Sequence, residues 1–432
     1  MSGRPWYERY QPISYLLNSR SGTERDFLNM TTRCNAVGVR IYSDVVFNHM
    51  AANQMNDTAI GTGGSKAKPA QRDYPAVPYD ISNFHPVCAL IDYQNIYQVR
   101  NCELVGLHDL NQTLEDTRTK ITQFLNHLID LGVAGFRIDA AKHMWPTDLK
   151  IIYNRLNNLN SSFGFSEQSH PFIYQEVIDN GGEAISKYEY TFAAVSEFRY
   201  SSELSRCFSG NDDLKWLKTF GEMWSLLPTQ FALVFINNHD NQRSGNILTY
   251  KSKKKYIMAQ AFSLAHPYGI KRIMSSFAFN TSEQGPPADI NQNILTPLFD
   301  SNGQCTNGWV CEHRWRQSYA MIDFMNTVHG TNITYWWDNQ KNQIAFSRGN
   351  KGFIIFNLNN GDILKEKIKT GLSAGVYCDV ITGDRIGTFC TGKKIVVNAD
   401  GFAEITLLEA DDNGIIVIHV GSLLINLNTN EI

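Results

Sequence analysis

No stretch of the chain approaches the ~18 consecutive apolar residues that a membrane span needs, which excludes a membrane-crossing helix. The opening residues, Met1-Ser2-Gly3-Arg4-Pro5-Trp6, lack the apolar core of a signal peptide, so nothing in the chain as written exports it. An excess of one charge is missing too. The 39 Lys and Arg against 42 Asp and Glu leave a net charge of −3, which gives no electrostatic argument for nucleic acid or a membrane surface. No G-x-G-x-x-G or P-loop follows a strand-like run, which argues against an open nucleotide-binding sheet. No cysteine pair has the C-x-x-C spacing of a zinc site. Low-complexity segments and tandem repeats are absent as well.

What remains is an ordinary globular composition, 43% hydrophobic and 19% charged, over 432 residues. Single cores rarely grow past roughly 250–300 residues, so one large and one small domain are expected. Aromatic content is on the rich side at 12%, with 8 Trp and 19 Tyr, and a large core accounts for most of it.

The eight cysteines speak for an oxidising compartment. Cys305 and Cys311, and Cys378 and Cys390, are close pairs in Gly-, Asn- and Thr-rich loops, and Cys88 and Cys102 are placed to staple a long loop. Asn-x-Ser/Thr sequons begin at Asn29, Asn56, Asn111, Asn160, Asn280 and Asn332, compatible with secretion but common by chance. A secreted protein is therefore expected, whose signal lies outside the given chain.

Taken in order, a helical pattern runs through Glu24, Phe27, Leu28 and Met30, and a β-branched run from Val37 to Asn48 ends in Asn48-His49. From Met50 to about Leu110 the pattern dissolves into Gly, Pro, Asn and Asp, a length that is uncommon unless it is functional or a small inserted domain. Residues 112–131 read as a helix with Gly132 at its C-cap, 147–159 as another, and 172–177 as an apolar strand ending near a carboxylate. A helix-like stretch follows, then a short strand from Ala194 to Tyr200, a helix around 212–224, and an apolar run, Phe231 to Ile236, that leads into Asn238-His239-Asp240. A helix at 250–265 precedes a strand from Lys271 to Ser276, and a helix at 314–328 follows a long loop. After about Tyr335 short alternating strands replace helices, at 343–347, 352–357, 375–380, 394–397, 402–408 and 415–420. That is a separate antiparallel β domain by pattern.

The organising stretch is Gly135-Phe136-Arg137-Ile138-Asp139-Ala140-Ala141-Lys142-His143. An apolar run, Leu131 to Phe136, delivers an Arg, an Asp and a His where a buried strand should stop. Alternation puts Arg137, Asp139 and Ala141 on one face, so that the guanidinium can hold the carboxylate ionised as a nucleophile. Taken alone, this is equally well a structural ion pair. Its company decides otherwise: His49, Glu176 and Asp240 also fall at strand ends. In a (β/α) barrel the carboxyl ends of the strands form the active site. Carboxylates on separate barrel strands are what a retaining glycosidase needs, one attacking the anomeric carbon and one trading a proton with the leaving oxygen.

Four ordered motifs now resemble the signature regions of the alpha-amylase family, in its animal, chloride-dependent type. They are 39–49 (Val39 to His49), 135–143, Tyr174-Gln175-Glu176-Val177, and Asn238-His239-Asp240-Asn241-Gln242-Arg243. The resemblance covers nearly the whole chain, including Trp6 to Pro12, Cys311 to Trp315 and the C-terminal β domain. It implies a TIM (β/α)8-type barrel with an inserted loop domain and a C-terminal antiparallel β-sandwich. The divisions expected are 1–48 and 111–334 for the barrel, 49–110 for the inserted calcium-binding domain and 335–432 for the β domain.

The implied activity is endo-hydrolysis of α-1,4-glucosidic bonds in starch or glycogen, by a monomer whose partner is an α-glucan and neither nucleic acid nor membrane. Asp139 is the implied nucleophile, Glu176 the general acid/base, and Asp240 the carboxylate that orients sugar hydroxyls. Trp6, Tyr7, Tyr10, Gln11, His49, Arg137, Lys142, His143 and His239 match substrate-contacting positions. Asn48, Asp109 and the carbonyls of Arg100 and His143 align with calcium ligands, and a hard cation accepts such an oxygen set. Arg137, Asn238 and Arg272 align with a chloride site, where the anion's charge should raise the carboxyl pKa of Glu176.

The chain departs from this pattern in places. Six strands are counted where a barrel needs eight, so the first strands of the barrel are expected to be missing and the edges they leave unpaired. The partner of Cys34 should lie in the missing part, leaving Cys34 and Cys207 free. Asn237 stands where Asp is usual, and the loop after Arg243 is short, without the family's Gly-rich stretch and its His. An inactive amylase-like protein and a related α-glucosidase or transglycosylase are the alternatives.

Overall fold

The computed structural model describes residues 4–358, 363–408 and 413–427. They form two compact units, Met1–Ser196 with Phe279–Thr296, and Glu197–Ala278 with Pro297–Ile432.

Four parallel strands build the first unit: Tyr42–Val45, Gly135–Ile138, Phe172–Gln175 and Ala194–Ser196. Their register sets Asp44 beside Arg137, Arg137 beside Tyr174, and Tyr174 beside Ala194. The strand at Gly135–Ile138 is buried along its length. A Cβ on Gly135 would come within 2.3 Å of the Phe172 carbonyl oxygen, so only glycine lets the two strands approach. The helix Glu24–Ala36 opens with a reciprocal cap, Thr23 Oγ1 accepting from the Asp26 N–H and Asp26 accepting from the Thr23 N–H. Helix Glu115–Asp130 buries Ile121, Leu125, Leu128 and Ile129 and stops at Gly132, whose φ of +88° suits glycine. Val37, Val39 and Tyr42, along the outer edge of this sheet, are 75%, 52% and 49% exposed.

The long connection between the first two strands has a small core of its own, with Met50, Tyr74, Tyr79, Phe84 and Leu110. Two short antiparallel pairs, His49–Met50 with His108–Asp109 and Ala59–Ile60 with Lys66–Ala67, organise it. The Cys88–Cys102 disulfide closes its loop.

The second unit holds a parallel pair, Ala232–Val234 and Ile270–Lys271, bringing the parallel strands to the six counted from the sequence. Its helices are Phe198–Phe208, Lys254–Ala265 and Arg316–Thr327. Two antiparallel sheets follow. One orders Ile333–Asp338, Gln343–Arg348, Gly352–Asn357 and Ile415–His419; the other orders Leu364–Lys369, Phe402–Leu407, Lys394–Val397, Gly375–Cys378 and Leu423–Asn426. Ala345, Phe353, Ile355 and Ile418 of the first meet Leu364, Tyr377, Ile405 and Leu407 of the second in one core, as aligned sheets do. Cys305–Cys311 and Cys378–Cys390 are bonded, and Cys34 and Cys207 are free thiols.

Three local expectations fail, one of them the strand from Lys271 to Ser276, which forms only at Ile270–Lys271. The apolar run from Ala194 to Tyr200 is strand only to Ser196; the Glu197 side chain then accepts from the Arg199 N–H and starts the helix Phe198–Phe208. Residues 212–224 are two 3-10 segments, Leu214–Thr219 and Glu222–Trp224, instead of an α-helix. Gly221 between them has φ +127°, a break that no regular helix holds.

Candidate active site

Arg137 is the hub of the first unit's site. It is 2% exposed, and its terminal nitrogens hold three carboxylates. Nη1 donates to Asp44 Oδ1 at 2.6 Å and to Asp139 Oδ1 at 2.8 Å, and Nη2 pairs with Glu176 Oε1 at 2.5 Å. The strand register causes this. Asp44 sits directly beside Arg137 on the neighbouring strand, while Asp139 and Glu176 each stand just past the end of theirs, where their backbone N–H groups still donate to Val45 and Ile138. After Asp139 the chain turns through Ala140, a buried non-glycine residue in left-handed backbone, φ +49°. Such a conformation costs on the order of 1 kcal/mol. It brings the Ala140 N–H to Glu176 Oε2 at 2.9 Å. The expected single face of Arg137, Asp139 and Ala141 therefore holds for the first two residues only.

Electrostatics follow from this geometry. Burial pulls the Arg137 guanidinium down, but Glu176, Asp44 and Asp139 outweigh burial and push it up. Burial first, and the charge of Glu176 second, push the Asp139 carboxyl well above the usual range, with Arg137 opposing. Asp139 and Glu176 thus titrate as a pair. Glu176 accepts from both Arg137 and Ala140, and both bonds favour its ionised form. The ligand-free arrangement therefore favours the pair's proton on Asp139.

Aromatic and histidine groups ring the cluster. Tyr10, on the 3-10 segment Trp6–Tyr10, donates its hydroxyl to Asp44 Oδ2 at 2.7 Å, and its ring centroid lies 5.7 Å from Arg137. Trp6 packs edge-on to both Tyr7 and Tyr10. His49 Nε2 meets the Tyr10 carbonyl at 3.0 Å, and Gln11 is joined to Gln54. Burial pushes His49 down to about 4 and His143 likewise to about 4, so both are neutral imidazoles. Lys142 is tied to Glu183 and to the Ile178 carbonyl. Asp44 and Glu183 make contacts with site residues that the sequence alone left unassigned, and Tyr10, expected as a substrate contact, is also the hydroxyl partner of Asp44. For Asp44 the signal was its place within the Val39–His49 run.

The expected calcium donors pass a simple fit test. Asn48 Oδ1 is buried with no hydrogen-bond partner, an orphaned oxygen that suits a cation. Asp109 pairs with His49 in a short ladder, and burial, opposed by His85, raises its carboxyl to about 7. The other two donors also lie together. Trp145 Nε1 donates to Asn101 Oδ1, and the His143 ring bonds the Val99 carbonyl beside Arg100. The Arg100 side chain turns away to Glu189 and over the Trp145 ring. No group of three or more His, Cys, Asp or Glu side chains suited to a metal occurs among the described residues, so a cation here would rely on amide and backbone oxygens beside the single carboxylate of Asp109.

In the second unit Asn238, His239 and Asp240 follow the strand Ala232–Val234. Asn238 Oδ1 accepts from the backbone N–H groups of Asp240 and Asn241, fixing the turn. His239 Nε2 lies 3.4 Å from Asp240 Oδ2. Arg272 donates its N–H to the Val234 carbonyl, and its guanidinium lies 6.0 Å from the Phe235 ring. The Asn237 amide is buried with neither polar atom bonded.

A buried pair of carboxylates on one guanidinium, at the carboxyl ends of adjacent parallel strands, is the arrangement that carboxylate-dependent glycoside hydrolases on barrel folds use. Comparison with known proteins narrows the class. Residues 13–267 match the alpha amylase catalytic domain, and residues 336–421 match the alpha amylase C-terminal all-beta domain. The chain belongs to the alpha-amylase family. It is 52% identical over 423 residues to an alpha-amylase-related protein of Drosophila jambulina, covering 98% of this chain and 85% of that protein. It is 53% identical over 421 residues to the one of Drosophila melanogaster, covering 97% and 85%. The crystal structure of alpha-amylase I from Eisenia fetida superposes with a TM-score of 0.92 at 41% identity, over 96% of this chain and 88% of that one. A mutant of that enzyme in complex with maltohexaose gives 0.88 at the same identity.

Proposed function

We propose that the protein is an alpha-amylase that hydrolyses internal α-1,4-glucosidic bonds of starch or glycogen with retention. The observation that carries this is the shared guanidinium. One Arg137 holding both Asp139 and Glu176 favours the separation of about 5–5.5 Å used in retention over the wider one that inversion needs to admit a water. Asp139 attacks the anomeric carbon and forms a glycosyl ester, while Glu176 gives its proton to the leaving oxygen. Glu176 then takes a proton from the water that opens the ester. For this the pair's proton must move from Asp139 to Glu176, which requires that an arriving sugar loosen Glu176 from the Ala140 N–H.

Asp240 is assigned to the sugar hydroxyls, and His49, His143, His239 and Lys142 are assigned as further substrate contacts. Trp6, Tyr7, Tyr10 and Gln11 line the approach as an aromatic and amide platform. The maltohexaose bound by the Eisenia fetida enzyme supports a linear glucan as substrate.

Calcium is assigned to Asn48, Asp109 and the carbonyls of Arg100 and His143, where it would tie the 49–110 connection, read as an inserted domain, to the barrel residues 1–48 and 111–334, with 335–432 as the β domain. Chloride is assigned to Arg137, Asn238 and Arg272. Both terminal nitrogens of Arg137 already serve carboxylates. Three disulfides support a secreted enzyme, and a monomer is the state assigned to it. The second reading is a related α-glucosidase or transglycosylase, or an inactive amylase-like protein; the relatives are named alpha-amylase-related and not alpha-amylase.

The test is hydrolysis of soluble starch by the purified chain and by Glu176→Gln. Loss of about 10²-fold or more in the variant is expected for a missing acid/base. Equal rates in the two would reject the assignment, and glucose or lengthened oligosaccharides as the first products would favour the second reading.

A further inference from the structure

The second unit buries a carboxylate that no cation neutralises among its described partners. Glu312 is fully buried and opens the 3-10 turn Glu312–Arg314. One residue occupies both of its oxygens: Oε2 accepts from the Ser276 N–H at 2.6 Å, and Oε1 accepts from the Ser276 hydroxyl at 2.5 Å. Burial raises this carboxyl, and the two Ser276 bonds oppose burial. A proton on either oxygen would turn an acceptor into a competing donor, so the geometry serves the ionised form. An ionised acceptor orients the hydroxyl more firmly than a neutral one does. The segment around Ser276 is clasped further. The Val310 and Cys311 N–H groups donate to the Ser276 carbonyl, and the Cys305–Cys311 disulfide closes the loop just before Glu312. Cys311 itself holds left-handed backbone, φ +53°, a strained conformation that persists only where the surroundings fix it.

What this clasp holds lies on its other side. The Ser276 hydroxyl has one proton, and Glu312 takes it. The same oxygen lies 3.0 Å from the buried side-chain amide of Gln242, so the amide must present its nitrogen there as the donor. Gln242 in turn closes the turn that carries His239 and Asp240. Its N–H donates to the Asn238 carbonyl at 3.1 Å, while Asn238 Oδ1 accepts from the Asp240 and Asn241 N–H groups. At the opposite side of the turn the Asn241 amide donates to Ser201 Oγ at 3.0 Å. Two serines thus anchor one turn, and Glu312 stands behind the second of them.

We propose that Glu312 is a positioning residue, which through Ser276 and Gln242 fixes the turn that presents Asp240 to the sugar hydroxyls. The consequence for the sugar rests on the function proposed above; the fixing of the turn does not. Glu312 touches no reacting atom in this scheme, and its effect reaches the reaction only by the hydrogen-bonded chain Glu312–Ser276–Gln242.

The experiment compares the full chain with Glu312→Gln and Ser276→Ala. Ser276→Ala removes a single oxygen and keeps the N–H bond to Glu312, so it serves if Glu312→Gln fails to fold. Ser275→Ala, which loses only the exposed bond to His313, is the control. The first readout is amide hydrogen exchange in the ligand-free protein. Exchange over 238–243 is expected to be about tenfold faster in both variants, the worth of one hydrogen bond, and unchanged over 135–143 and in the control. The second is kcat/KM for maltohexaose per folded molecule, expected to fall about tenfold in both. Adding Gln242→Met to Glu312→Gln should then cost nothing more, because both break one chain of contacts. Unchanged exchange over 238–243, or kinetic losses that multiply in the double variant, overturns the proposal. Absence of maltohexaose hydrolysis in the unsubstituted chain would instead reject the catalytic reading, and exchange alone would then decide whether Glu312 fixes the turn.

Discussion

Two arginines, equally buried, are used in opposite ways. Arg137, 2% exposed, is surrounded by Asp44, Asp139 and Glu176, and those charges push its guanidinium up in spite of burial. Arg348, 4% exposed, has no carboxylate among its described partners: it donates to the Ala265 carbonyl and, at 2.6 Å, to the Thr331 carbonyl, and burial pulls it down to about 10. The first is a cation held by groups that themselves react, at the open ends of parallel strands. The second closes backbone acceptors where a helix, a turn and a strand meet. A buried charge marks a reactive site when its partners can change protonation, and marks packing when they cannot.

Substituting each arginine should break the comparison in different places. Arg137→Met leaves three carboxylates facing one another without a counter-charge. It is expected to abolish starch hydrolysis and to cost about 3–5 kcal/mol of stability, the price of an unpaired buried charge, read by thermal unfolding. Retention of activity would show that the cluster is structural. Arg348→Met orphans the Ala265 and Thr331 carbonyls, a loss of about 1–3 kcal/mol for each buried acceptor. Hydrolysis per folded molecule should be unchanged; a fall there would erase the distinction.

How much of this could be seen in the chain beforehand differs between elements. Asp139 and Glu176 were legible because each follows an apolar run, where a buried strand must end. Asp44 was not. It lies inside a β-branched run as one polar residue among several, and only the parallel register with Gly135–Ile138 places it against Arg137. The strand at 394–397 reads out directly from alternation, and that at 352–357 from a continuous apolar run buried on both faces. Leu364–Lys369 was missed because Lys365, Glu366 and Lys367 face solvent and only Leu364 and Ile368 are buried, too few apolar positions to register as a strand. The helix Phe198–Phe208 was obscured by aromatic residues at its start, which resemble a strand until the Glu197 cap is known.

A smaller effect sharpens the comparison through pH. His49 and His143 are held near 4 in the folded protein, below the ordinary value of 6.5. The unfolded chain therefore binds more protons between those values. Stability from these two groups is present above pH 6.5 and is lost as pH falls toward 4. Denaturant midpoints at pH 7 and pH 4.5 should show this loss, and His49→Gln should reduce it. An unchanged pH dependence in that variant would mean that His49 titrates normally.

Retention requires that Asp139 and Glu176 lie close enough for the first to bond the sugar directly. The anomeric configuration of the product, followed by NMR in the first minutes of maltohexaose hydrolysis, tests it most directly. The α-anomer appearing first is the result expected; the β-anomer appearing first would show that water, and not Asp139, attacks the glucosyl carbon.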